Sequence, residues 1–215
     1  MELPIKDRIT AGRALARAME HYRDRQDLLV LALPRGGVPV AFELAQALDA
    51  PMDLMLVRKL GSPGQRELAM GAIASGGVRV LNEELVSYLG VSEETIEKVA
   101  ASEQEELERR ERAYRGDRPW PEIAGKCVIL VDDGVATGAT MRVAIKALRK
   151  QNPKELVVAV PVAPPDTVAT LRREADAVVC LAMPEPFTAI GLWYANFSQV
   201  SDEEVTTQLA RAWNT

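Results

Sequence analysis

Short apolar runs recur along the chain and alternate with segments of helical periodicity. Each run is four to six residues long and rich in leucine and β-branched side chains. Uninterrupted runs of this length are typical of strands that are buried on both faces of a parallel sheet. They lie at residues 28–33, 54–57 (in a predicted strand 53–57 that begins with Asp53), 128–131, 156–160 and 177–181.

Helices are predicted between and around these strands. Apolar residues recur at helical spacing in four segments, and Ser201 begins a fifth as an N-cap. These segments are 7–22, 38–48, 141–148, 166–174 and 202–213. Strands that alternate with helices of this length predict an α/β fold with a doubly wound, mostly parallel sheet and right-handed crossovers. A chain of 215 residues without a linker is expected to form one domain, 1–215.

The stretch after the strand at 128–131 carries the strongest candidate chemistry. Asp132 and Asp133 follow the strand directly, at the end where open α/β sheets place their ligands. A loop of small residues at 134–140 then leads into a helix, whose N-terminus favours an anion such as phosphate. Two glycines and two threonine hydroxyls suit such a loop: Gly134, Gly138, Thr137 and Thr140. The aspartates would repel a phosphate, so sugar hydroxyls, a metal ion or both are their expected partners.

A second loop of similar design follows the strand at 28–33. It reads Pro34-Arg35-Gly36-Gly37 and leads into the helix at 38–48. The adjacent glycines are expected to allow unusual backbone angles and the close approach of an anion. Arg35 offers a fork of donors suited to a phosphate. An ordinary turn with a surface arginine is the alternative for this loop.

Two other nucleotide-binding patterns fit the sequence poorly. A P-loop requires Gly-x-x-x-x-Gly-Lys-[Ser/Thr], but Gly125-Lys126 is followed by Cys127 and has Trp120 in place of the first glycine. A Rossmann site requires Gly-x-Gly-x-x-Gly after a strand, and the chain contains no such triplet.

Composition narrows the range of functions. The net charge of −5 argues against general nucleic-acid binding, and no apolar run approaches the roughly 20 residues that span a bilayer. The single histidine, His21, lies near the end of the first predicted helix and is expected at the surface, which argues against a histidine-based triad, and one histidine cannot form a histidine-rich zinc site. The N-terminus lacks the basic and apolar regions of a signal peptide, and Cys127 and Cys180 fall in apolar runs. A cytoplasmic protein without a membrane segment is therefore expected.

The stretch 128–140 resembles the signature of type I phosphoribosyltransferases, which use 5-phosphoribosyl diphosphate (PRPP). The resemblance covers the apolar strand, the two acids and the Thr-Gly-x-Thr loop. It implies that Asp132 and Asp133 bind the ribose hydroxyls and that residues 136–140 surround the 5′-phosphate. It also implies that the Pro-Arg-Gly-Gly loop receives the pyrophosphate, with Mg²⁺ as cofactor. The implied PRPP-binding set is Arg35, Gly36, Gly37, Asp132, Asp133, Gly134, Val135, Ala136, Thr137, Gly138, Ala139 and Thr140.

The same resemblance suggests a flexible loop that closes over the site. The segment 60–70 is polar and contains Gly61, Pro63 and Gly64, so we expect a long loop there. Lys59 and Arg66 could then meet the pyrophosphate, with Glu67 beside them. The residues implied in catalysis are Asp132, Asp133, Arg35 and Lys59. Direct metal ligands are not expected, although Asp132 and Asp133 could reach Mg²⁺ through water.

Two further segments complete the predicted architecture. A charged helical insertion occupies about 92–118, with Ser92 as N-cap, and forms either a solvated face or a packing arm in a homodimer. A small C-terminal hood is expected at about 183–199. By the resemblance, an aromatic residue of the hood stacks on the acceptor, and Phe187, Trp193 and Tyr194 are the candidates. Packing of the hood onto the core is the alternative for each.

The acceptor is left open by the sequence. Ala136 replaces the aspartate that 6-oxopurine enzymes carry before Thr-Gly, which disfavours hypoxanthine and guanine and keeps adenine open. The chain as a whole is similar to bacterial predicted phosphoribosyltransferases with no assigned acceptor. The expected activity is phosphoribosyl transfer from PRPP to a nitrogenous acceptor with release of pyrophosphate. A non-catalytic PRPP- or nucleotide-sensing regulator and a sugar-phosphate-binding assembly subunit are the alternatives.

Overall fold

The computed structural model describes residues 2–214, except for the side chains of Arg66 and Glu67. The chain separates into two compact units. One contains the residues up to Met55 and from Pro121 onward, and the other spans Leu56–Trp120. The prediction of a single domain over the whole chain stays a prediction.

The first unit is built on a five-stranded parallel sheet with the order β2-β1-β6-β7-β8. Its strands are β1 (Leu28–Ala32), β2 (Met52–Leu54), β6 (Cys127–Val131), β7 (Glu155–Val162) and β8 (Ala177–Ala182). Every residue of β1 and β6 is buried. Their continuous apolar sequences are typical of strands that helices cover on both faces. The predicted doubly wound α/β sheet is confirmed.

In the described part of the first unit, five α-helices flank this sheet. They are α1 (Arg8–Ala18), α2 (Gly37–Leu48), α5 (Ala139–Arg149), α6 (Pro165–Glu174) and α7 (Asp202–Trp213). Helices α1 and α7 pack against α2. The crossover through α2 runs from β1 toward one edge of the sheet and the crossover through α5 runs from β6 toward the other. Right-handed connections of opposite direction place α2 and α5 on opposite faces.

The hood segment is joined to the beginning of the chain. A short 3-10 helix spans Ile190–Trp193, and the backbone after it pairs with residue 5. The Ile5 amide donates to the Trp193 carbonyl and the Ala195 amide donates to the Ile5 carbonyl, both at 2.7 Å. The following helix, α7, begins with the capping box of Ser201 and Glu204.

The second unit contains a three-stranded antiparallel sheet and two helices. Its elements are β3 (Val57–Ser62), β4 (Gln65–Ala74), β5 (Val78–Leu81), α3 (Glu83–Leu89) and α4 (Glu93–Arg115). Ser92 caps α4 by accepting from the Thr95 amide, as predicted. Ile96 and Leu107 are buried on the apolar side of α4, and Arg58 pairs with Glu103 at 2.6 Å.

The prediction of a long loop at 60–70 is wrong. Residues 57–74 form a β-hairpin in which Pro63 and Gly64 make the turn, with Gly64 at φ 74°. Proline followed by glycine at positive φ is the sequence of a tight turn, whereas the prediction counted these residues as loop. The strand predicted at 53–57 is likewise wrong at its end. It stops at Leu54, and Lys59 belongs to β3.

Candidate active site

The two loops singled out by the sequence lie side by side at the carboxyl end of the sheet. Strands β1 and β6 are neighbours, with Ala32 opposite Val131, and the Leu33 amide donates to the Val131 carbonyl at 2.9 Å. The chain leaves these two strands in opposite directions, so the loops flank the point where the strand order reverses. Open α/β sheets form a ligand-binding crevice at this point.

Gly36 and Gly37 pack directly against the aspartate pair. A Cβ atom on Gly36 would overlap the Asp133 carboxylate, and one on Gly37 would come within 2.8 Å of the Val131 carbonyl oxygen and 3.0 Å of the Asp132 Cα. Gly36 has φ −60° and ψ −34°, an ordinary helical conformation. The expectation that these glycines provide unusual backbone angles is therefore wrong at Gly36. They provide space, and the space is filled by the acids.

Asp132 begins the loop after β6 and is half-buried. Its Oδ1 accepts a hydrogen bond from the Asp133 amide at 2.8 Å, which fixes the carboxylate beside the strand end. Burial raises the pKa of Asp132 well above its usual range, and the neighbouring Asp133 charge raises it further. A carboxylate held in this way gains from a ligand that donates hydrogen bonds or brings positive charge.

Asp133 is buried and makes an ion pair with Arg8. The Arg8 Nε donates to the Asp133 Oδ2 at 2.7 Å, and Nη1 of the same arginine donates to the Ser198 carbonyl at 2.7 Å. The guanidinium also lies 4.0 Å from the centre of the Phe197 ring. Burial raises the pKa of Asp133, and the hydrogen bond and charge of Arg8 oppose that rise. Nothing in the sequence marks Arg8 as part of the site, because 125 positions separate it from its partner.

Tyr194 supports the site from inside the hood. It is 6% exposed, and its hydroxyl donates to the Asp133 carbonyl at 2.6 Å. Its ring lies 5.0 Å from that of Phe197. Tyr194 therefore packs the hood onto the core, which contradicts the expectation that it stacks on an acceptor. Phe187 and Trp193 are half-buried, with ring centres 6.0 Å apart, and their predicted contact with an acceptor stays a prediction.

The loop 134–140 has the form expected of an anion site. Gly138 is the N-cap of α5 at φ 78°, a conformation that favours glycine, and the side chains of Thr137 and Thr140 are exposed. The Val135 amide donates to the Val162 carbonyl at 3.0 Å, which anchors the start of the loop. The first amides of a helix have no backbone partner within it, and in α5 the Ala139 amide makes only a long contact of 3.5 Å with Thr137 Oγ1, so this end of α5 suits an anion.

The remaining anchors of the loop involve α6 and the hood. Thr167 Oγ1 donates to the Ala136 carbonyl at 2.7 Å. A Cβ on Gly134 would lie 2.5 Å from a methyl group of Ile190, so this glycine allows the hood to pack closely. The predicted residues Val135 and Ala139 lie within the same loop, and their contact with PRPP stays a prediction.

The basic residues that were predicted to bind the pyrophosphate lie in different elements of the structure. Arg35 is half-buried beside the first loop, and its Nη1 lies 3.8 Å from the Asp202 Oδ1. Lys59 is exposed on β3 of the second unit, and its role at a pyrophosphate stays a prediction. The side chains of Arg66 and Glu67 lie outside the described residues, although both belong to a strand and not to the predicted flexible loop.

Within residues 2–214, leaving out the side chains of Arg66 and Glu67, no group of three or more His, Cys, Asp or Glu side chains is placed to hold a metal ion. In the same described part of the chain, no helix combines the length and apolar character needed to cross a membrane.

Comparison with known proteins identifies relatives over nearly the whole chain. The model of the phosphoribosyl transferase domain matches residues 5–192. A Mycobacterium tuberculosis protein, provisionally named a phosphoribosyl transferase, is 46% identical over 206 residues, which cover 96% of this chain and 46% of the relative. The chain therefore spans about half the length of the curated relatives it matches.

Two solved structures are similar to this chain over most of its length. The crystal structure of TT1426 from Thermus thermophilus has a TM-score of 0.85 and 42% identity, and the match covers 96% of this chain and 98% of that one. The AQ2163 protein from Aquifex aeolicus has a TM-score of 0.52 at 11% identity, covering 86% of this chain and 78% of that one. This second likeness concerns the fold alone.

Proposed function

Because this chain belongs to the phosphoribosyl transferase domain family, we propose that it transfers the 5-phosphoribosyl group of PRPP to a nitrogenous acceptor and releases pyrophosphate. One observation carries the proposal. The carboxylates of Asp132 and Asp133 pack against Gly36 and Gly37 at the strand-order reversal, beside the N-terminus of α5. This arrangement offers adjacent places for a sugar and for two phosphate groups.

The sugar and its 5′-phosphate occupy the loop after β6 in this proposal. Asp132 and Asp133 accept hydrogen bonds from the ribose hydroxyls, and the backbone amides of residues 136–140 surround the phosphate. The separation of tasks follows from charge, because the carboxylates repel the phosphate and the helix N-terminus attracts it.

The pyrophosphate occupies the loop after β1. The bond from the anomeric carbon to the pyrophosphate oxygen breaks while a bond from an acceptor nitrogen forms, and the acceptor loses a proton. Positive charge develops on the sugar ring and negative charge on the departing group. Arg35 and the amide of Gly36 stabilise that negative charge, and electrostatic stabilisation of this kind is usually the largest single contribution to catalysis.

The carboxylates of the site suit a Mg²⁺ ion that binds together with a phosphorylated substrate. Mg²⁺ takes one or two protein carboxylates and completes its shell with water and phosphate oxygens. Asp132 and Asp133 are carboxylates of this kind at the end of one strand, with Asp132 half-buried. When bound, the ion would offset the charge of the pyrophosphate, while Asp132 and Asp133 would orient its water ligands and the ribose.

The acceptor is held by the hood in this proposal. Phe187 and Trp193 present half-buried rings for stacking, and Ala136 provides no group that could exchange a proton with a base. These features favour adenine or another aromatic nitrogen compound over a 6-oxopurine. The proposal also includes a cytoplasmic location and a homodimer. The free cysteines Cys127 and Cys180 support the cytoplasmic location, because disulfides are rare in that compartment.

The test measures pyrophosphate release from PRPP and Mg²⁺ in the presence of a panel of nitrogenous bases, alongside PRPP binding by calorimetry. Binding together with pyrophosphate release on one acceptor is the expected result. Binding without turnover on every acceptor would favour the sensing regulator, and no binding of PRPP would contradict both.

A further inference from the structure

Arg8 connects three parts of the first unit through one side chain. It begins α1, donates to the Asp133 carboxylate, donates to the Ser198 carbonyl and covers the Phe197 ring. The Arg8 and Asp133 side chains are 11% and 9% exposed, so the ion pair is largely shielded from water. An arginine in this setting is well suited to fix geometry, because its planar fork holds two acceptors at once.

The position of Arg8 in its helix also indicates a tertiary role. A cation in the first turn of a helix is disfavoured by the macrodipole, which prefers negative charge there. The N-cap, Asp7, supplies that negative charge by accepting from the Thr10 amide at 2.7 Å. The benefit of a cation at residue 8 therefore comes from its contacts beyond the helix, with Asp133 and residues 197–198.

Asp133 is held from both its side chain and its backbone. Arg8 binds its Oδ2, the Tyr194 hydroxyl binds its carbonyl oxygen, and the Gly36 backbone packs against the carboxylate. Of the two hydrogen bonds, the one from Arg8 reaches the carboxylate itself, whereas the one from Tyr194 reaches the backbone carbonyl. The orientation of the Asp133 oxygens toward a sugar is therefore controlled by Arg8.

We infer that Arg8 is a positioning residue for the sugar site, where it orients the Asp133 carboxylate and ties it to residues 197–198. The inference rests on the proposed function, since the sugar is that of PRPP. Arg8 need not touch the substrate. It acts through Asp133, and the same side chain makes the hood segment part of that support.

The test compares Arg8→Gln with a matched control on the same helix. Arg13 also pairs with a carboxylate, Glu43, at 2.8 Å, but its side chain is 66% exposed. We expect Arg8→Gln to weaken PRPP binding roughly ten- to a hundred-fold, the range for a lost hydrogen bond to a charged group. Arg13→Gln should leave it unchanged. Inorganic pyrophosphate, which has no ribose, should bind Arg8→Gln as it binds the wild type.

A double-mutant cycle with Asp133→Asn distinguishes positioning from general damage. If Arg8 acts through Asp133, the double variant should bind PRPP no more weakly than Asp133→Asn alone. Additive losses, or an equal loss of pyrophosphate binding, would overturn the inference. Arg8→Lys, which keeps the charge without the fork, serves if Arg8→Gln does not fold. It should bind PRPP several-fold more weakly than wild type, and unchanged binding would overturn the inference.

The outcome distinguishes the proposed function from the role of Arg8. Wild-type protein that binds no PRPP would refute the proposed function. Wild-type protein that binds PRPP, with an Arg8→Gln variant that binds it equally well, would refute the role of Arg8 alone.

Discussion

Replacing Gly36 by alanine would insert one methyl group into the space that the Asp133 carboxylate occupies. The new Cβ would overlap Oδ2 and lie 2.6 Å from Cγ of that residue. A free surface carboxylate would turn away at little cost, but this one is buried and paired with Arg8 at 2.7 Å. Overpacking of this kind destabilises a fold by about 1–3 kcal/mol.

The backbone of Gly36 separates this steric effect from a conformational one. At φ −60° and ψ −34° an alanine fits without strain. Alanine at such a position stabilises a protein by about 0.4–1 kcal/mol when space allows, because it restricts the unfolded chain. Whether Gly36→Ala raises or lowers the free energy of unfolding therefore depends on the Asp133 side chain.

The assay is urea unfolding of four proteins: wild type, Gly36→Ala, Asp133→Ala and the double variant. Gly36→Ala should lower the free energy of unfolding in the wild-type background and leave it equal or higher in the Asp133→Ala background. Gly37→Ala is the matched control, because its Cβ would meet backbone atoms of Val131 and Asp132, so its cost should persist in both backgrounds. An equal cost of Gly36→Ala in both backgrounds would refute the reasoning.

Two further predictions concern the acids and the hood. Burial raises the pKa of Asp132 in the folded protein. The charge of Asp132 therefore opposes folding increasingly as the pH rises from the pKa of this group in the unfolded chain to its pKa in the folded protein. Asp132→Asn should therefore raise the free energy of unfolding at pH 8 and not near pH 3, and a gain that persists in urea unfolding at pH 3 would contradict this. Tyr194→Phe removes the buried hydrogen bond to the Asp133 carbonyl and should cost about 1–3 kcal/mol by the same method. Trp193→Phe removes no hydrogen bond, because the Trp193 Nε1 has no partner in the described structure. A hydrogen-bond penalty in Trp193→Phe equal to that in Tyr194→Phe would contradict the prediction for Tyr194.

The parallel sheet could be predicted because its strands are short, continuous apolar runs. The burial of every residue in β1 and β6 requires such runs, and few other structures tolerate them. The turn into α5 could be predicted for a similar reason, since Gly138 at φ 78° leaves a local mark in the sequence. These features are set by neighbours in the chain.

Contacts between distant segments could not be predicted in this way. Arg8 is one of many arginines, and only the folded chain shows that it reaches a residue 125 positions away. The aromatic character of Tyr194 suggested stacking, while its hydroxyl contact with Asp133 decides its place. The hairpin at 57–74 was missed because glycine and proline mark both loops and tight turns, and the pairing of β3 with β4 distinguishes the two.

The claim that two carboxylates hold the ribose of PRPP is tested most directly by calorimetry on the variant Asp132→Asn/Asp133→Asn. Its fold can be confirmed by circular dichroism before PRPP and Mg²⁺ are titrated. Loss of two hydrogen bonds to charged groups should weaken PRPP binding by roughly a hundred-fold or more relative to wild type. PRPP affinity equal to that of the wild type, in a folded variant, would contradict the account.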